Sequence, residues 1–265
     1  MSELIRILVA LLILSGVFFL IETFFMSRSS QRKGRKEIVI DLRYWFLTPL
    51  VTKTISRVAI VALLLPAIFI SGKEAIQNAV LQGHGPIGQW PSWLQAFAAI
   101  LMGDFIGYWI HRIFHSERLW KFHAVHHSST ELNWLSSVRV HPVNDLLARI
   151  AQAIPILLLG FPAKILAIYI PFLTFYAILL HANVSWTFGP LKKIIASPVF
   201  HRWHHSNEVE AQDKNFAGFF PIWDLLFGTF YMPDGKQPES FGIIGNPMPA
   251  RFLAQLVYPF RSAPE

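Results

Sequence analysis

The sequence predicts an all-α integral membrane protein: about four transmembrane helices with a cytoplasmic helical cap that carries clustered histidines. Three observations predict this. Hydrophobic residues make up 53% of the 265-residue chain and charged residues only 15%, whereas soluble domains carry about 25% charged residues. The apolar residues gather into runs long enough to cross a bilayer, which takes roughly 20 helical residues. Histidines are abundant, 11 in all, and every one except His84 lies between His111 and His205. The formal charge of +7 does not indicate nucleic acid, because the basic side chains flank apolar runs instead of alternating with aromatics along a polar face. They suit topology signals and anionic-lipid contacts.

The elements follow in order. "LIRILVALLILSGVFFLIETFFM" is long enough to span and no small-residue cleavage pattern follows it, so it reads as a first transmembrane helix and not as a leader. The next segment holds Arg28, Arg32, Lys33, Arg35 and Lys36, which the positive-inside rule places in the cytoplasm, leaving the N-terminus outside. A second span from Lys53 to Gly72 returns outward, and "KEAIQNAVLQGHGPIGQWPS" reads as an outer loop. A third span, about Trp93 to Ile110, comes back and opens into "HRIFHSERLWKFHAVHH". The apolar run from Leu146 to Leu180 breaks at "GFPAK", giving two spans or a re-entrant hairpin whose ends, His141 and His181, return to one level. From Pro190 onward the chain is more polar, with Lys192, Lys193 and Arg202, and reads as the cap. The whole chain, 1–265, is expected to be a single membrane-embedded domain. Within it 1–92 forms N-terminal helices and loops, 93–233 the histidine-bearing region and 234–265 a tail.

The chain has no cysteine, which excludes disulfides, iron–sulfur clusters and thiolate catalysis. Metal work falls to histidine. "HRIFH" spaces His111 and His115 four apart; "HAVHH" spaces His123, His126 and His127 at i, i+3 and i+4; "HRWHH" repeats that spacing at His201, His204 and His205. Positions three and four apart share one helical face, so each motif aims its imidazoles at one place. A single such motif is common by chance. Eight imidazoles gathered together would repel if charged and would be costly if neutral and unsatisfied, and a metal removes both problems. Eight nitrogens exceed the six ligands of one octahedral ion, so two ions are expected. Zinc suits imidazole as well as iron does, so donor type leaves the metal open.

The three boxes on a multi-span scaffold, followed by "NFAGFFPIWDLLFGTFYMP", resemble the fatty acid hydroxylase and sterol desaturase superfamily over about Asp104 to Pro233. That resemblance implies two non-haem iron ions, O2 as co-substrate, oxidation of an unactivated C–H bond of a lipid, and an external electron donor. It carries the metal-ligand role onto His111, His115, His123, His126, His127, His201, His204 and His205. His181, in "LLHANVSW", corresponds to a further ligand. Some relatives have another histidine one turn later, where this chain has Ser185, which puts one ion's set of ligands in doubt. His141 either fills that gap or is a structural histidine at the helix boundary before Pro142, and His84 reads as structural.

Asp104 lies inside the third span, where an ionisable residue is a functional candidate. It is the catalytic-site candidate of the sequence. Sharing a helical face with Tyr108, His111 and His115, it is expected to accept a hydrogen bond from a ligand imidazole; the alternative is an ion pair with Arg112. Asp145 and Asp224 are candidates for a similar role, and Asn215 for fixing the loop after the third box. Trp223 and Asp224 read as structural parts of the closing motif. Glu22 is expected to snorkel or to pair with a basic side chain.

The functional expectation is a membrane-bound di-iron oxygenase that hydroxylates a lipid, with lipid or sterol desaturation as the variant of the same chemistry. A membrane metal transporter or store is the competing class, disfavoured because the boxes cluster on one side and no ligands line a path across the bilayer. A catalytically dead lipid-binding relative would show a broken box, and none is broken. The expected partners are a bilayer lipid and a separate reductase, since no haem, flavin or ferredoxin pattern is present, and no nucleic acid. The expected location is a bacterial inner membrane, or the endoplasmic reticulum in a eukaryote, with the active site facing the cytoplasm.

Overall fold

Apolar length selects four helices able to cross a membrane: Glu3–Phe24, the continuous Ile38–Ser71, Ser92–Phe114 and Ala163–His181. The computed structural model describes residues 2–27, 37–245 and 248–261. The basic stretch that carries Arg28, Arg32, Lys33, Arg35 and Lys36 lies outside the described residues. Among the described residues the secondary structure is helical, with no strand beyond two isolated bridges, Met26 with Val184 and Ser206 with Phe241.

The first helix, α1 (Glu3–Phe24), is apolar on all sides and leaves Leu12, Phe19 and Phe24 exposed. The second, α2 (Ile38–Leu47), runs into α3 (Lys53–Ser71) through one wide turn at Thr48–Thr52 that contains Pro49. A proline in a helix removes one hydrogen bond and crowds the carbonyl a turn earlier, and a wider turn accommodates both. The combined 34 residues extend about 51 Å at 1.5 Å per residue, against about 30 Å of hydrocarbon. The expected span from Lys53 matches α3, and α2 with the wide turn extends it at its N-terminal end.

The segment expected as an outer loop is instead largely helical: α4 (Lys73–Gln82) and the single turn α5 (Gly85–Gly88). Gly72 and Gly83, at φ 84° and 80°, bracket ten residues of adequate helix propensity, so the glycines punctuate the two ends of a helix and do not mark a loop throughout. Next comes α6 (Ser92–Phe114), which includes His111, then α7 (Glu117–His127) and a short 3-10 turn at Trp134–Val138. Helices α8 (Pro142–Leu158) and α9 (Ala163–His181) form a hairpin that reverses at Gly160, φ 95°. The hairpin tip meets the α4–α5 connection: His84 N–H donates to Gly160 O at 3.1 Å and its ring contacts Leu157 O. His84 is therefore structural, at the end of the bundle remote from the other histidines. The remaining helices are short: α10 (Pro198–His204), α11 (Ile222–Leu226) and α12 (Phe252–Val257).

The packing of α1 departs from the charge-based topology. Glu3 lies 3.9 Å from the Lys53 ammonium, and Trp45 Nε1 donates to Ile7 O at 3.3 Å. The start of α1 thus meets the start of α3, two ends that the positive-inside reading sends to opposite sides. At its other end Glu22 is buried and accepts the backbone N–H groups of Trp134 and Asn183, both at 3.1 Å. It does not snorkel, because two backbone donors in an apolar corner satisfy a carboxylate better than water it cannot reach. Phe18 stacks on Trp134 at 5.4 Å, completing an apolar core with Trp45, Ile178 and Val184.

Candidate metal centre

Nine histidines converge into two adjoining groups. His111, His115, His123, His127 and His204 form one, and His126, His181, His201 and His205 the other; within each, the candidate ligand nitrogens lie within 4.8 Å of one another. The first box comes from the end of α6, with His115 as its C-terminal cap; the second fills the last turns of α7; the third comes from α10, capped by His205; His181 ends α9. The i, i+3, i+4 spacing divides each HxxHH box between the groups: His123 and His127 face one, His126 the other, while His201 and His205 face the second and His204 the first.

Hydrogen bonds outside the groups determine where the protons are. His111 Nδ1 donates to Phe216 O at 2.8 Å, His115 Nδ1 to Asp213 Oδ1 at 2.9 Å, and His123 Nδ1 to Asn144 Oδ1 at 2.7 Å. His126 Nδ1 donates to Arg139 O at 3.1 Å, His181 Nδ1 to Ala177 O at 2.7 Å, and His204 Nδ1 to Lys214 O at 2.7 Å. Each partner is an oxygen acceptor, so each Nδ1 carries the proton and each Nε2 presents a bare lone pair. Yet Nε2 of His111 and His123 stand 3.1 Å apart, and Nε2 of His126 and His181 3.2 Å. Two acceptors at that distance repel. His115 Nε2 and His204 Nε2 are buried with no hydrogen-bond partner among the described residues. Inward lone pairs without protons are the donor set of a cation held by neutral imidazole, and these residues fit two such ions. Burial, reinforced by neighbouring imidazoles, holds His123, His126, His127, His201, His204 and His205 well below the usual histidine pKa, which keeps the ligands neutral. Burial lowers His115 too, against the opposing pull of Asp213.

Asp104 is close to the centre but does not touch an imidazole. It accepts from the backbone N–H of Gly218, Phe219 and Phe220 at 3.1, 2.8 and 2.7 Å and from Trp223 Nε1 at 3.0 Å. The expected histidine contact fails because these four donors surround the carboxylate. Nor does Asp104 pair with Arg112, which donates instead to Tyr108 Oη at 3.0 Å. Asp104 is an anchor for the loop whose Phe216 carbonyl orients His111. Asp224 secures the same loop, accepting from Phe216 N and Ala217 N at 2.8 and 2.9 Å; burial raises its pKa. Asn215 ties that loop to Phe200 O and Tyr231 O. Asp145 pairs with Arg149 within α8 at 2.8 Å; the residue that reaches a candidate ligand is its neighbour, Asn144.

His141 belongs to neither group. It caps α8, its Nδ1 accepting from Val143 N and its Nε2 donating to Leu256 O, both at 3.1 Å. Ser185 is exposed and also outside both groups.

The sequence reading missed several partners of the imidazoles. Four are backbone carbonyls, which carry no residue signature. Asp213 and Asn215 adopt left-handed φ of 54° and 59°, a conformation Asp and Asn tolerate, and this turns the intervening Lys214 carbonyl onto His204. Arg139 is buried against Asp41 at 2.6 Å and Glu37 at 2.9 Å, fixing the carbonyl that receives His126. Only Asn144 left a usable trace, being in the first turn of a helix whose start His141-Pro142 announces.

A helical membrane scaffold with paired imidazole nests is the class that this fold and site define. The pattern describing the fatty acid hydroxylase family matches residues 96–229, just over half of the chain, and the chain belongs to that family. It is 36% identical over 173 residues to an ornithine lipid hydroxylase of Rhizobium tropici, covering 65% of this chain and 52% of that one. It is 37% identical over 156 residues to an alkylglycerol monooxygenase of Danio rerio, covering 58% and 32%. A very-long-chain aldehyde decarbonylase of Oryza sativa shares 29% identity over 139 residues, covering 48% and 21%. The chain thus spans about half, or less, of the length of the curated relatives it matches. No solved structure matches it.

Proposed function

We propose that this protein is a membrane-bound, non-haem di-iron oxygenase that hydroxylates a C–H bond of a lipid. The observation that carries this reading is the pair of buried nests of unprotonated Nε2 atoms at the ends of apolar helices. The balanced reaction is RH + O2 + 2 electrons + 2 protons giving ROH + H2O, with the electrons from a separate reductase. His111, His115, His123, His127 and His204 would hold one iron, and His126, His181, His201 and His205 the other. Iron, when bound, supplies the reduction of O2 and the oxidation of the C–H bond. The protein's own contribution is positional. On six of the nine rings an outward Nδ1 hydrogen bond keeps Nε2 aimed inward, and burial excludes bulk water from the nests. An apolar substrate reaches the site from the bilayer, and the relatives' names, an ornithine lipid and an alkylglycerol, support a lipid as that substrate. We assign the centre to the cytoplasmic face, where reductants are available.

Purified, iron-loaded protein should contain two irons per chain, and lipids from cells expressing it should gain one oxygen atom from labelled O2. His204→Ala and His205→Ala, one from each nest, should each lower iron toward one per chain and abolish the product. Activity that survives complete removal of iron would overturn the proposal. Loss of two hydrogens without oxygen gain would establish desaturation instead, and vesicle metal uptake with no lipid product would establish transport.

A further inference from the structure

A cleft of about 610 Å3 opens between α2 and α12, lined by Arg43, Arg251, Arg261, Phe252, Leu253 and Val257. All three arginines are exposed; among the described residues no carboxylate lines the cleft and none is ion-paired with any of the three. Arg43 lies over the Phe252 ring at 6.0 Å, which leaves its guanidinium edge available. Beside this basic cleft, Leu253, Val257 and Phe260 are 71%, 50% and 65% exposed. Leu253 and Val257, four apart, share one face of α12, and the 3-10 turn Tyr258–Phe260 that follows carries Phe260 outward as well, giving an apolar stripe. The opposite side of α12 is anchored: Phe252 meets Tyr44 edge-on at 5.0 Å, and Leu256 O receives the His141 ring. The stripe is thus held outward, bracketed in sequence by Arg251 and Arg261.

Arg43 belongs to α2, and the 34-residue helix that α2 forms with α3 is longer than the hydrocarbon is thick, so one end must reach the headgroups; the other end carries exposed Phe69 and Ile70, which leaves the arginine-bearing α2 end, with the cleft, for that depth. A segment with an apolar stripe and flanking arginines lies in the interface plane, with guanidinium groups on phosphate. We propose that α12 and the turn after it are an interfacial anchor and that the three arginines bind the phosphate of an anionic phospholipid, with Leu253, Val257 and Phe260 among its acyl chains. This proposal does not rest on the metal chemistry.

Native mass spectrometry of the full-length, detergent-purified protein tests it, with phosphatidylglycerol, phosphatidylcholine and inorganic phosphate as separate probes. Phosphatidylglycerol should be retained in preference to phosphatidylcholine, and each arginine removed should weaken it about fivefold. The triple variant R43Q/R251Q/R261Q should therefore lose well over tenfold, while R43K/R251K/R261K, which keeps the charge, stays within a few-fold of the parent. Thermal unfolding monitors integrity; if the triple glutamine variant melts early, R251Q alone carries the test through its fivefold loss. Equal phosphatidylglycerol retention by parent and glutamine variants would overturn the proposal. So would inorganic phosphate binding as tightly as the lipid, because the site would then recognise a free anion.

Discussion

His123 shows how a single hydrogen bond outside the nest decides what its nitrogen can do inside. With Nδ1–H given to Asn144 Oδ1 at 2.7 Å, only Nε2 is left to bind. Asn144→Ala should strand that buried N–H at a cost of about 1–3 kcal/mol and lower metal affinity about 10–100-fold. Asn144→Asp, which keeps an acceptor, should retain the metal; iron content after dialysis checks both. His141 gives a pH signature of its own. Burial lowers its pKa in the folded protein, and the neutral ring accepts from Val143 N. Stabilisation from this cap is therefore full above about pH 6.5, the unfolded value, and falls as acidification approaches the lower folded value. His141→Asn, a cap that does not titrate, should make the acid limb of the melting-temperature profile below about pH 6.5 shallower by one histidine's share, the buried ligand histidines setting the rest. An unchanged limb would show that His141 does not contribute to it. At this scale the histidine positions were legible from spacing, but Asp104 was not: its burial in a span marked it as functional, and only the fold shows that its four donors come from residues 218–223.

Among the helices, α6 joins the loop anchored by Asp104 to the first histidine box, so its seating against α9 sets where His111 lies relative to His181. Gly103 makes that seating possible: a Cβ there would fall 1.6 Å from Tyr169 Oη and 2.4 Å from Cζ. Gly103→Ala should cost about 1–3 kcal/mol through overpacking, and Gly103→Ala/Tyr169→Leu should recover much of it. Chemical or thermal unfolding of the two singles and the double checks this; strict additivity would place the strain elsewhere. Apolar length and turn chemistry were sufficient to foresee α3, α6 and the α8–α9 hairpin. They failed for α4, where flanking glycines obscured a helix, and for α2, where Asp41 and Arg43 hid a helical continuation. The buried Asp41–Arg139 pair joins residues almost a hundred positions apart, a distance over which local pattern carries no information.

Across the whole molecule, α6, α7, α9 and α10 bring nitrogen lone pairs that repel one another together at one end, so a metal bound there should act as a structural crosslink. A ligand that binds only the folded state stabilises it by about 2.7 kcal/mol at a hundredfold excess over its dissociation constant. Chelator-stripped protein should therefore melt several degrees lower, and iron should restore the loss; identical melting curves would show that the nests do not hold metal. What the sequence by itself determined was local and periodic: runs long enough to cross a bilayer, and imidazoles three and four residues apart that share a helical face. Tertiary structure alone decided the division of nine histidines into groups of five and four, the Nδ1 acceptors of six of those rings, the four donors to Asp104, the two backbone donors to Glu22, and the meeting of Glu3 with Lys53. These depend on distant backbone carbonyls and amides, which every residue possesses and which only the folded chain can aim.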